Sequence, residues 1–370
     1  MSFMLKHQAQ SKPQMSSLPL IQLLLEQAHR QKIAPPNIIA RAQACGIEPL
    51  IWHAVEHGHI DAKRYGFTPK MLGDFKLQQT ARLAIWRKSA QIALNAMPCP
   101  CILLKGEPLG NRLMGNAIWR ITHDIDLWLP QDQIETAESN LIQLGWHRTQ
   151  EPHLWATNQI LLEHEVLAPI ELHWALAPRP WSTPTFKTAM ANAISTQILN
   201  TPTFLLSDSD QWLHLLVHAH QHYFAIKTVC DLLEAQTSLQ IQTEHLKPYH
   251  LCRLHRFAVA INNAVHTENA YSFSSQITKF WFQNLLAHSK RGELVFGADS
   301  HVMAAAGVLI RALSMALLDG WKTPILAALA VIFAGPHPIG KRCHHIYDTN
   351  LKNITELSAF FQKNSQVSGI

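Results

Sequence analysis

The stretch that most constrains the fold is residues 124–129, Asp-Ile-Asp-Leu-Trp-Leu. Side chains along a β-strand alternate between its two faces, so the three aliphatic residues of this stretch are predicted to share one face. Asp124 and Asp126 are then predicted to share the opposite face, one pleat apart. Two adjacent carboxylates repel each other, so a fold that keeps them together is expected to hold a cation between them. For the same reason, neutralising Asp126 is expected to leave the metal-free fold at least as stable as before.

A shorter apolar run precedes this stretch and ends in a lysine. Residues 101–105 are followed by Gly106, which predicts a buried strand ending in a turn, and residues 107–115 have helical spacing. Arg120 lies between this helix and the two aspartates. Lys105 and Arg120 are each consistent with an ordinary surface charge or a salt-bridge partner. Their position beside the carboxylates favours a functional role.

A third carboxylate comes from residues 169–174, Pro-Ile-Glu-Leu-His-Trp. The apolar residues here alternate with Glu171 and His173, so Glu171 is predicted to project from a second half-buried strand. Three carboxylates on two neighbouring strands form a hard oxygen-ligand site, which suits Mg²⁺ bound together with a nucleoside triphosphate. Two such ions can activate an attacking oxygen and stabilise a leaving one during displacement at phosphorus.

These residues resemble the uncharacterised nucleotidyltransferases of the DNA polymerase beta superfamily, whose core contains LLKG, then an arginine, then DIDLLV. The matching residues here are Leu103-Leu104-Lys105-Gly106, Arg120 and Asp124-Ile125-Asp126-Leu127. Other motifs of that family match Gly46-Ile47-Glu48-Pro49-Leu50, Gly145-Trp146, Glu171-Leu172-His173-Trp174, the histidine-rich residues 213–222 and Cys230-Asp231-Leu232. The resemblance covers about residues 20–240. The usual Gly-Ser turn of the superfamily is Lys-Gly here, as it is in this family.

The resemblance implies a Mg²⁺-dependent nucleotidyltransferase that moves a nucleoside monophosphate, in the first instance AMP from ATP, to an acceptor. It implies that Asp124 and Asp126 hold two metal ions, Mg²⁺ or alternatively Mn²⁺. Glu171 is expected to bind the catalytic ion and to help deprotonate the acceptor. The residues expected to contact or neutralise the phosphates are Lys105, Gly106 and Arg120.

Two other functions stay open at this point. A phosphotransferase can use the same fold and direct attack at a different phosphorus. A non-catalytic regulatory protein that binds a nucleotide is the second alternative. The acceptor is not identified by the residues, and a small molecule, a peptide and a protein are all consistent with them.

Composition restricts the class of protein and its partners. Charged residues make up 15% of the chain and hydrophobic residues 47%, which predicts a globular protein rather than a disordered one. The formal charge of +5 is spread out without a long Lys/Arg block, so there is no strong nucleic-acid signal. Six scattered cysteines fit a reducing compartment better than a disulfide framework. With no export signal evident, a cytoplasmic location is expected.

The predicted fold class is α+β, with a small mixed sheet as the nucleotidyltransferase core and helical regions on either side. The predicted domains are a helical N-terminal region over residues 1–95, the core over 96–200 and a helical C-terminal region over 201–370. Helices are predicted over residues 18–31, 37–44, 50–56, 69–95, 107–115 and 132–144, and strands over 101–105, 124–129, 154–162 and 169–176. In the C-terminal region, residues 304–318 and 325–333 are apolar but shorter than the roughly 20 residues of a transmembrane helix. A buried helical hairpin is favoured there over an interfacial membrane contact or an acceptor groove.

Two groups of histidines have helical spacing. Residues 53–59 contain three, and a zinc site there would need further ligands, so solvated side chains are favoured. Residues 214–222 contain four and follow a predicted helix cap at Ser207. A metal ladder is the alternative there. Packing is favoured, with one or two polar contacts to the cleft or to Asp231.

Overall fold

The computed structural model describes residues 15–30, 32–149, 158–177, 181–222 and 226–266. The apolar segments 304–318 and 325–333, and most of the predicted C-terminal region with them, lie outside the described residues. Within those described ranges, no helix has both the length and the apolar composition that crossing a membrane requires.

The N-terminal region is helical, as predicted. Its helices are α1 Leu18–Arg30, α2 Pro35–Ala44, α3 Glu48–Glu56 and α4 Pro69–Ala96, with a 3₁₀ turn at Lys63–Tyr65. The pair Pro35-Pro36 separates α1 from α2 and also forms the first turn of α2, where a missing backbone N–H has no cost. α4 begins after Thr68, whose side-chain oxygen accepts a hydrogen bond from Met71 N.

A mixed sheet follows, which confirms the α+β class. Its strands are β1 Ile102–Leu103, β2 Ile125–Trp128, β3 His147–Arg148, β4 Gln159–Glu163, β5 Ile170–His173, β6 Ile194–Ile198 and β7 Thr201–Leu205. Their spatial order is β3-β4-β5-β2-β1-β7-β6. β2 is parallel to β5 and β1 is parallel to β7, whereas the other neighbours are antiparallel. With seven strands among the described residues, the sheet is larger than the small one predicted.

The sheet continues past the predicted boundary at residue 200. That boundary falls in the tight turn between β6 and β7, where Leu199 and Asn200 have φ values of 45° and 66°. Two successive positive φ values are what a two-residue hairpin turn of the right twist requires. Leucine rarely adopts this conformation, so no Asn-Gly type of signal marks the hairpin in the sequence. Because β7 pairs with β1 inside the sheet, the sheet depends on residues beyond 200.

The remaining helices surround the sheet. They are α5 Glu107–Met114, α6 Ile134–Gln143, α7 Phe186–Ala191, α8 Asp208–Gln221, α9 Ile226–Ser238 and α10 Cys252–His266, with 3₁₀ turns at Ala117–Trp119, Gln131–Gln133 and Thr243–Tyr249. Gly145, with a φ of 98°, follows the end of α6, as expected of a C-terminal glycine. The predicted cap of α8 is confirmed, because Ser207 Oγ accepts a hydrogen bond of 3.2 Å from Asp210 N.

The alternation in β2 and β5 separates two hydrophobic cores on opposite sides of the sheet. One side, the aliphatic face, comprises Ile125, Leu127, Leu129, Ile170 and Leu172, which pack with apolar residues of α4 and α6. The other side, the charged face, comprises Asp126, Trp128, Glu171 and His173. Trp128 belongs to the second core, together with residues of α8, α9 and the N-terminal helices.

Candidate active site

Asp126 and Glu171 lie opposite each other on the charged face. They are aligned residues of the parallel pair β2 and β5, so their side chains leave the sheet in the same direction. His173 follows two residues further along β5, on the same face. One carboxylate oxygen of each acid and one ring nitrogen of His173 lie within 4.8 Å of one another. The structure therefore brings together two of the three predicted acids and adds an imidazole.

Lys105 supplies a cation for Asp126. A hydrogen bond of 3.0 Å from Leu104 N to Asp126 O extends the pairing of β1 with β2 up to this lysine. Lys105 Nζ lies 2.9 Å from Asp126 Oδ1, and the two side chains are 13% and 0% exposed. Burial disfavours both charged forms, but the attraction between them outweighs it, so the pKa of Lys105 is raised and the pKa of Asp126 lies well below its usual range.

Asp124 lies beside this cluster rather than in it. It precedes β2 by one residue, and its main-chain oxygen accepts a hydrogen bond of 2.8 Å from Trp86 Nε1. Its carboxylate helps to raise the pKa of Lys105, but among the described residues it is outside the group of potential metal ligands around Asp126. The charge of Lys105 balances that of Asp126. We therefore expect the substitution Asp126→Asn to destabilise the metal-free fold, which is the opposite of the expectation from the sequence. The change would leave a buried lysine without its closest anion.

His173 connects the two acids. Its Nε2 lies 3.3 Å from Asp126 Oδ1 and 3.3 Å from Glu171 Oε2, and since both oxygens accept, Nε2 carries the proton. On the other side of the ring, Asn158 Nδ2 lies 3.4 Å from Nδ1 and donates to Ala175 O at 2.6 Å. Burial disfavours the imidazolium, but the hydrogen bonds to both carboxylates outweigh it and raise the pKa of His173. The imidazole thus fixes the position of both carboxylates.

Gly106 adopts a backbone conformation that other residues avoid, with φ 84° and ψ −153°. It immediately precedes α5, and a Cβ at this position would lie 2.3 Å from the ring of Trp86. The first turn of α5 carries Glu107, whose carboxylate accepts two hydrogen bonds of 2.7 Å from Arg87. Packing against Trp86 therefore accounts for the glycine, and its contact with a phosphate stays a prediction.

Arg120 is bound by Asp231 of α9. Arg120 Nε donates to Asp231 Oδ1 and Arg120 Nη2 donates to Asp231 Oδ2, each at 2.9 Å. Both side chains are buried. Burial disfavours the guanidinium cation, but the attraction of Asp231 outweighs it and raises the pKa of Arg120. The two residues are 111 positions apart, so no local sequence pattern predicts their pairing. A direct role of Arg120 at the phosphates stays a prediction.

Two histidines of α8 approach the cluster from above the charged face. His218 Nε2 lies 3.4 Å from Lys105 Nζ, and because an ammonium group only donates, the imidazole nitrogen accepts. His214, one helical turn earlier, is buried, and neither of its ring nitrogens has a hydrogen-bond partner within the described structure. Burial and the nearby Lys105 lower the pKa of His214 to about 3, so its imidazole is neutral near pH 7. The predicted polar contact between this helix and the cleft is made to Lys105.

The histidines of residues 53–59 were expected to be solvated, but one of them is not. His53 is buried, with its ring centroid 5.2 Å from that of Trp119. Burial and the neighbouring histidines lower the pKa of His53 to about 4. In the part of the chain that the structure describes, the cluster at Asp126 is the one group of three potential metal ligands, so residues 53–59 do not form such a group.

The cluster at Asp126 fits a divalent cation. Asp126 Oδ2 is buried and accepts no hydrogen bond from any described residue. Buried polar atoms nearly always have a partner, so an open carboxylate oxygen indicates a missing one. Asp126 and Glu171 are hard oxygen donors of the kind that Mg²⁺ and Mn²⁺ prefer. The chemistry of the donors and the open oxygen therefore both suit such an ion.

Comparison with known proteins gives the family. The sequence profile of a family described as "Uncharacterised nucleotidyltransferase" matches residues 31–266, which is more than half of the chain and includes the whole site. The chain belongs to this family. The protein is therefore a nucleotidyltransferase, an enzyme of the transferase class, and its family implies a nucleotide substrate.

Other comparisons add little. Among solved structures, the antibiotic-resistance factor ANT(2'')-Ia, studied in solution, is similar with 16% sequence identity and a TM-score of 0.34, over 51% of this chain and 99% of that one. No curated protein matches the chain in sequence.

No role was predicted for His173, although the sequence contains a signal for one. His173 alternates with Glu171 in the predicted strand, and so shares its face. No such signal exists for the contact of His218 with Lys105, because the two lie 113 positions apart.

Proposed function

We propose that this nucleotidyltransferase transfers a nucleoside monophosphate to a hydroxyl or phosphate group of an acceptor in a Mg²⁺-dependent reaction. The first nucleotide to test is ATP, with AMP as the transferred group. Two ions are proposed, with Mn²⁺ as the alternative metal, and the acceptor is a small molecule, a peptide or a protein. A cytoplasmic location, where ATP and Mg²⁺ are available, belongs to the same proposal.

The observation that carries this proposal is the open, buried Asp126 Oδ2 beside Glu171 on the charged face. Asp126 and Glu171 would hold the metal, and Asp124, one residue before β2, would add a further carboxylate. When bound, Mg²⁺ would favour deprotonation of the acceptor and neutralise charge on the phosphates.

Glu171 is proposed to receive the proton of the acceptor. Its side chain is 19% exposed, whereas that of Asp126 is 0% exposed, so Glu171 is the carboxylate of the pair that solvent reaches. The hydrogen bond from His173 Nε2 holds one of its oxygens in place. A general base has to lie within hydrogen-bond reach of the proton it takes, and exposure allows this.

Lys105 is proposed to neutralise phosphate charge. Its ammonium group is shared between Asp126 Oδ1 at 2.9 Å and His218 Nε2 at 3.4 Å. A divalent cation on Asp126 repels the lysine, which can then contact a phosphate while His218 still accepts from it. Metal binding and phosphate binding are thereby coupled through a single side chain.

Labelled ATP tests this function directly. The protein would be incubated with Mg²⁺, a cell extract as the source of acceptors, and ATP labelled at either the α- or the γ-phosphate. Transfer of the α-label to an acceptor with release of pyrophosphate is expected, and the Asp126→Asn variant is expected to lose it. Glu163→Gln removes an exposed carboxylate at the end of β4 and is the matched control, which should keep full activity.

Two outcomes would contradict the proposal. Movement of the γ-label, or release of ADP, above the level of the extract alone and lost in Asp126→Asn, would show a phosphotransferase. Thermal stabilisation by Mg·ATP without transfer of either label in the extract would show a regulatory protein that binds the nucleotide without reacting.

A further inference from the structure

A cleft with a volume of about 520 Å³ lies at the carboxyl ends of strands β2 and β5. Its walls come from the ends of these two strands, from the loop ahead of α7 and from the first turn of α7. No role described so far uses this cleft. Clefts that hold small molecules measure about 300 to 1,000 Å³. Its size therefore suits a small molecule.

The walls of the cleft are largely aromatic. Trp128, Trp174 and Phe186 contribute rings, and the side chains of Pro130 and Pro184 lie among them. The ring centroids of Trp128 and Phe186 lie 5.6 Å apart in an edge-to-face arrangement. Aromatic walls of this kind favour a ligand with an apolar, planar body, because such a body buries a large area against them.

Two polar groups at the cleft need a partner from outside the protein. Trp128 Nε1 is a buried donor without a hydrogen-bond partner among the described residues. Because buried polar atoms are nearly always paired and an indole N–H only donates, a ligand atom that accepts is expected here. Lys187 lines the cleft from its exposed side and forms no hydrogen bond or ion pair with any residue that the structure describes. A negatively charged group on the ligand would satisfy it.

The cleft adjoins the cluster at Asp126. Asn158 Nδ2 donates at 2.6 Å to the main-chain oxygen of Ala175, a residue of the cleft, and lies 3.4 Å from His173 Nδ1. The same imidazole contacts both carboxylates of the cluster through its Nε2. Trp128 follows Asp126 by two residues on the charged face, which is about 7 Å along the strand. A small molecule in the cleft therefore lies within its own length of both acids.

Lys105 lies on the other side of Asp126 from the cleft. Strand β1 is antiparallel to β2, with Leu103 paired to Leu127 and Leu104 N bonded to Asp126 O, so the chain reaches Lys105 by moving towards the amino end of β2. The cleft is at the carboxyl end. In a displacement at phosphorus, the attacking and leaving oxygens are roughly in line on opposite sides. With the phosphates on the side of Lys105, the attacking molecule would approach from the cleft.

We propose that this cleft binds the acceptor, and that the acceptor is a small molecule with an apolar, planar body and an anionic group. The inference rests on the proposed function and narrows its acceptor to one class. An oxygen of the acceptor forms a bond to the α-phosphorus as the bond from that phosphorus to the β-phosphate oxygen breaks. Pyrophosphate leaves, and the proton of the acceptor goes to Glu171. The anionic group pairs with Lys187, and an accepting atom receives the hydrogen bond of Trp128 Nε1.

Fractionation of a cell extract tests the class of acceptor. Ultrafiltration separates macromolecules from small molecules, and an anion exchanger then divides the small molecules into bound and unbound fractions. Each of the three fractions is incubated with the protein, Mg²⁺ and an excess of ATP labelled at the α-phosphate, with a blank that lacks the protein. We expect transfer of the label in the bound small-molecule fraction. The labelled product should be retained longer than AMP on a reversed-phase column, because it carries the apolar body.

Two substitutions test the cleft itself. Lys187→Met should raise the amount of the bound fraction that gives half-maximal transfer by about 10-fold, through loss of a charge-assisted contact. Thr183→Trp, in the loop ahead of α7, fills part of the cleft and should lower transfer by about 10-fold or more. Both variants should bind the Mg²⁺ complex of α,β-methylene ATP with the wild-type dissociation constant in calorimetry, which also shows that they are folded. Lys70→Met is the matched control, because Lys70 is likewise the second residue of a helix but is 83% exposed and paired with Asp74.

Other results would overturn the inference in distinguishable ways. Transfer confined to the macromolecules or to the unbound small molecules, or unchanged transfer in both cleft variants, would exclude this acceptor while the proposed function survives. Binding of the ATP analogue that weakens as much as transfer in Thr183→Trp would assign the cleft to the nucleobase instead. An absence of transfer in all three fractions would overturn the proposed function and this inference with it.

Discussion

The two faces of strands β2 and β5 differ in what they bury. On the aliphatic face, four residues of these strands are 0% exposed: Ile125, Leu127, Ile170 and Leu172. One position away along each strand, the charged face carries Asp126, Glu171 and His173. The same backbone therefore supports an apolar core on one side and a cluster of charges on the other.

The residues of the aliphatic face stabilise the fold, whereas those of the charged face are better explained by binding of a cation. Burying an aliphatic side chain contributes about 1.5 to 3 kcal/mol. A buried ion pair contributes little by comparison, and apolar residues of the same volume often serve stability better. Asp126 in addition leaves Oδ2 without a donor among the described residues. Stability does not explain such a residue, whereas binding of a cation does.

The largest effect on stability and activity is expected from a substitution on the charged face. Asp126→Asn leaves the buried Lys105 without its closest anion, so we expect the free energy of unfolding of the metal-free protein to fall by about 3 to 5 kcal/mol. Nucleotidyl transfer and stabilisation by Mg·ATP should also be lost. Urea unfolding and thermal melting with and without Mg·ATP measure both effects, with Glu163→Gln as the control. An Asp126→Asn protein as stable as the wild type would show that the ion pair with Lys105 does not contribute.

On the aliphatic face, a substitution should lower stability but leave nucleotide binding unchanged. Leu127→Ala, next to Asp126 but on the other side of the sheet, opens a cavity in the core and should cost about 2 to 5 kcal/mol of stability. Below its melting temperature this variant should bind the Mg²⁺ complex of α,β-methylene ATP with the wild-type dissociation constant. Altered affinity in calorimetry would indicate that the two faces are not independent.

The sequence predicts the aliphatic face better than the charged one, and the reason is physical. Strict alternation in residues 124–129 specifies which side chains share a face, and the core that they form needs no particular partner. The same alternation places Asp126 on the face of the sheet that carries Glu171. The charged face depends on specific pairs, and those of Lys105 with His218 and of Arg120 with Asp231 join segments more than 100 residues apart.

Two local features were missed for different reasons. The hairpin of β6 and β7 has no turn signal, because Leu199 takes a conformation that leucine seldom adopts. The compensation of Asp126 by Lys105 was missed because the sequence shows two neighbouring acids but not the distance between a lysine and either one.

A smaller effect is expected at Lys227, with a defined pH dependence. Burial lowers its pKa in the folded protein to about 8, so the folded state binds fewer protons than the unfolded chain between pH 8 and the usual lysine pKa of about 10.4. The penalty is complete below pH 8 and disappears as the pH rises through this range. Lys227→Met should therefore be more stable than the wild type at pH 7, by up to about 3 kcal/mol, and equally stable near pH 10.5.

Urea unfolding of both proteins at pH 7, 9 and 10.5 checks this prediction. Other lysines titrate in both proteins and cancel in the difference, and the charged groups facing Lys227 are Arg120, Lys105, Asp231 and Asp124. A stability difference that does not depend on pH would mean that Lys227 carries its ordinary pKa.

The smallest net change should come from removing both members of the central ion pair. Lys105→Met alone leaves Asp126 buried without its cation, and Asp126→Asn alone leaves the lysine, so each single change is destabilising. In the double variant neither charge is left unpaired, and the methionine fills much of the volume of the lysine. We expect its free energy of unfolding to lie within about 1.5 kcal/mol of the wild type. This loss of stability is much smaller than the sum of the losses in the two single variants. Binding of Mg·ATP should be absent.

Urea unfolding of the wild type and the three variants gives the coupling energy. Additive single effects would mean that Lys105 and Asp126 contribute separately, and the charged face would then owe its stability to contacts other than this ion pair.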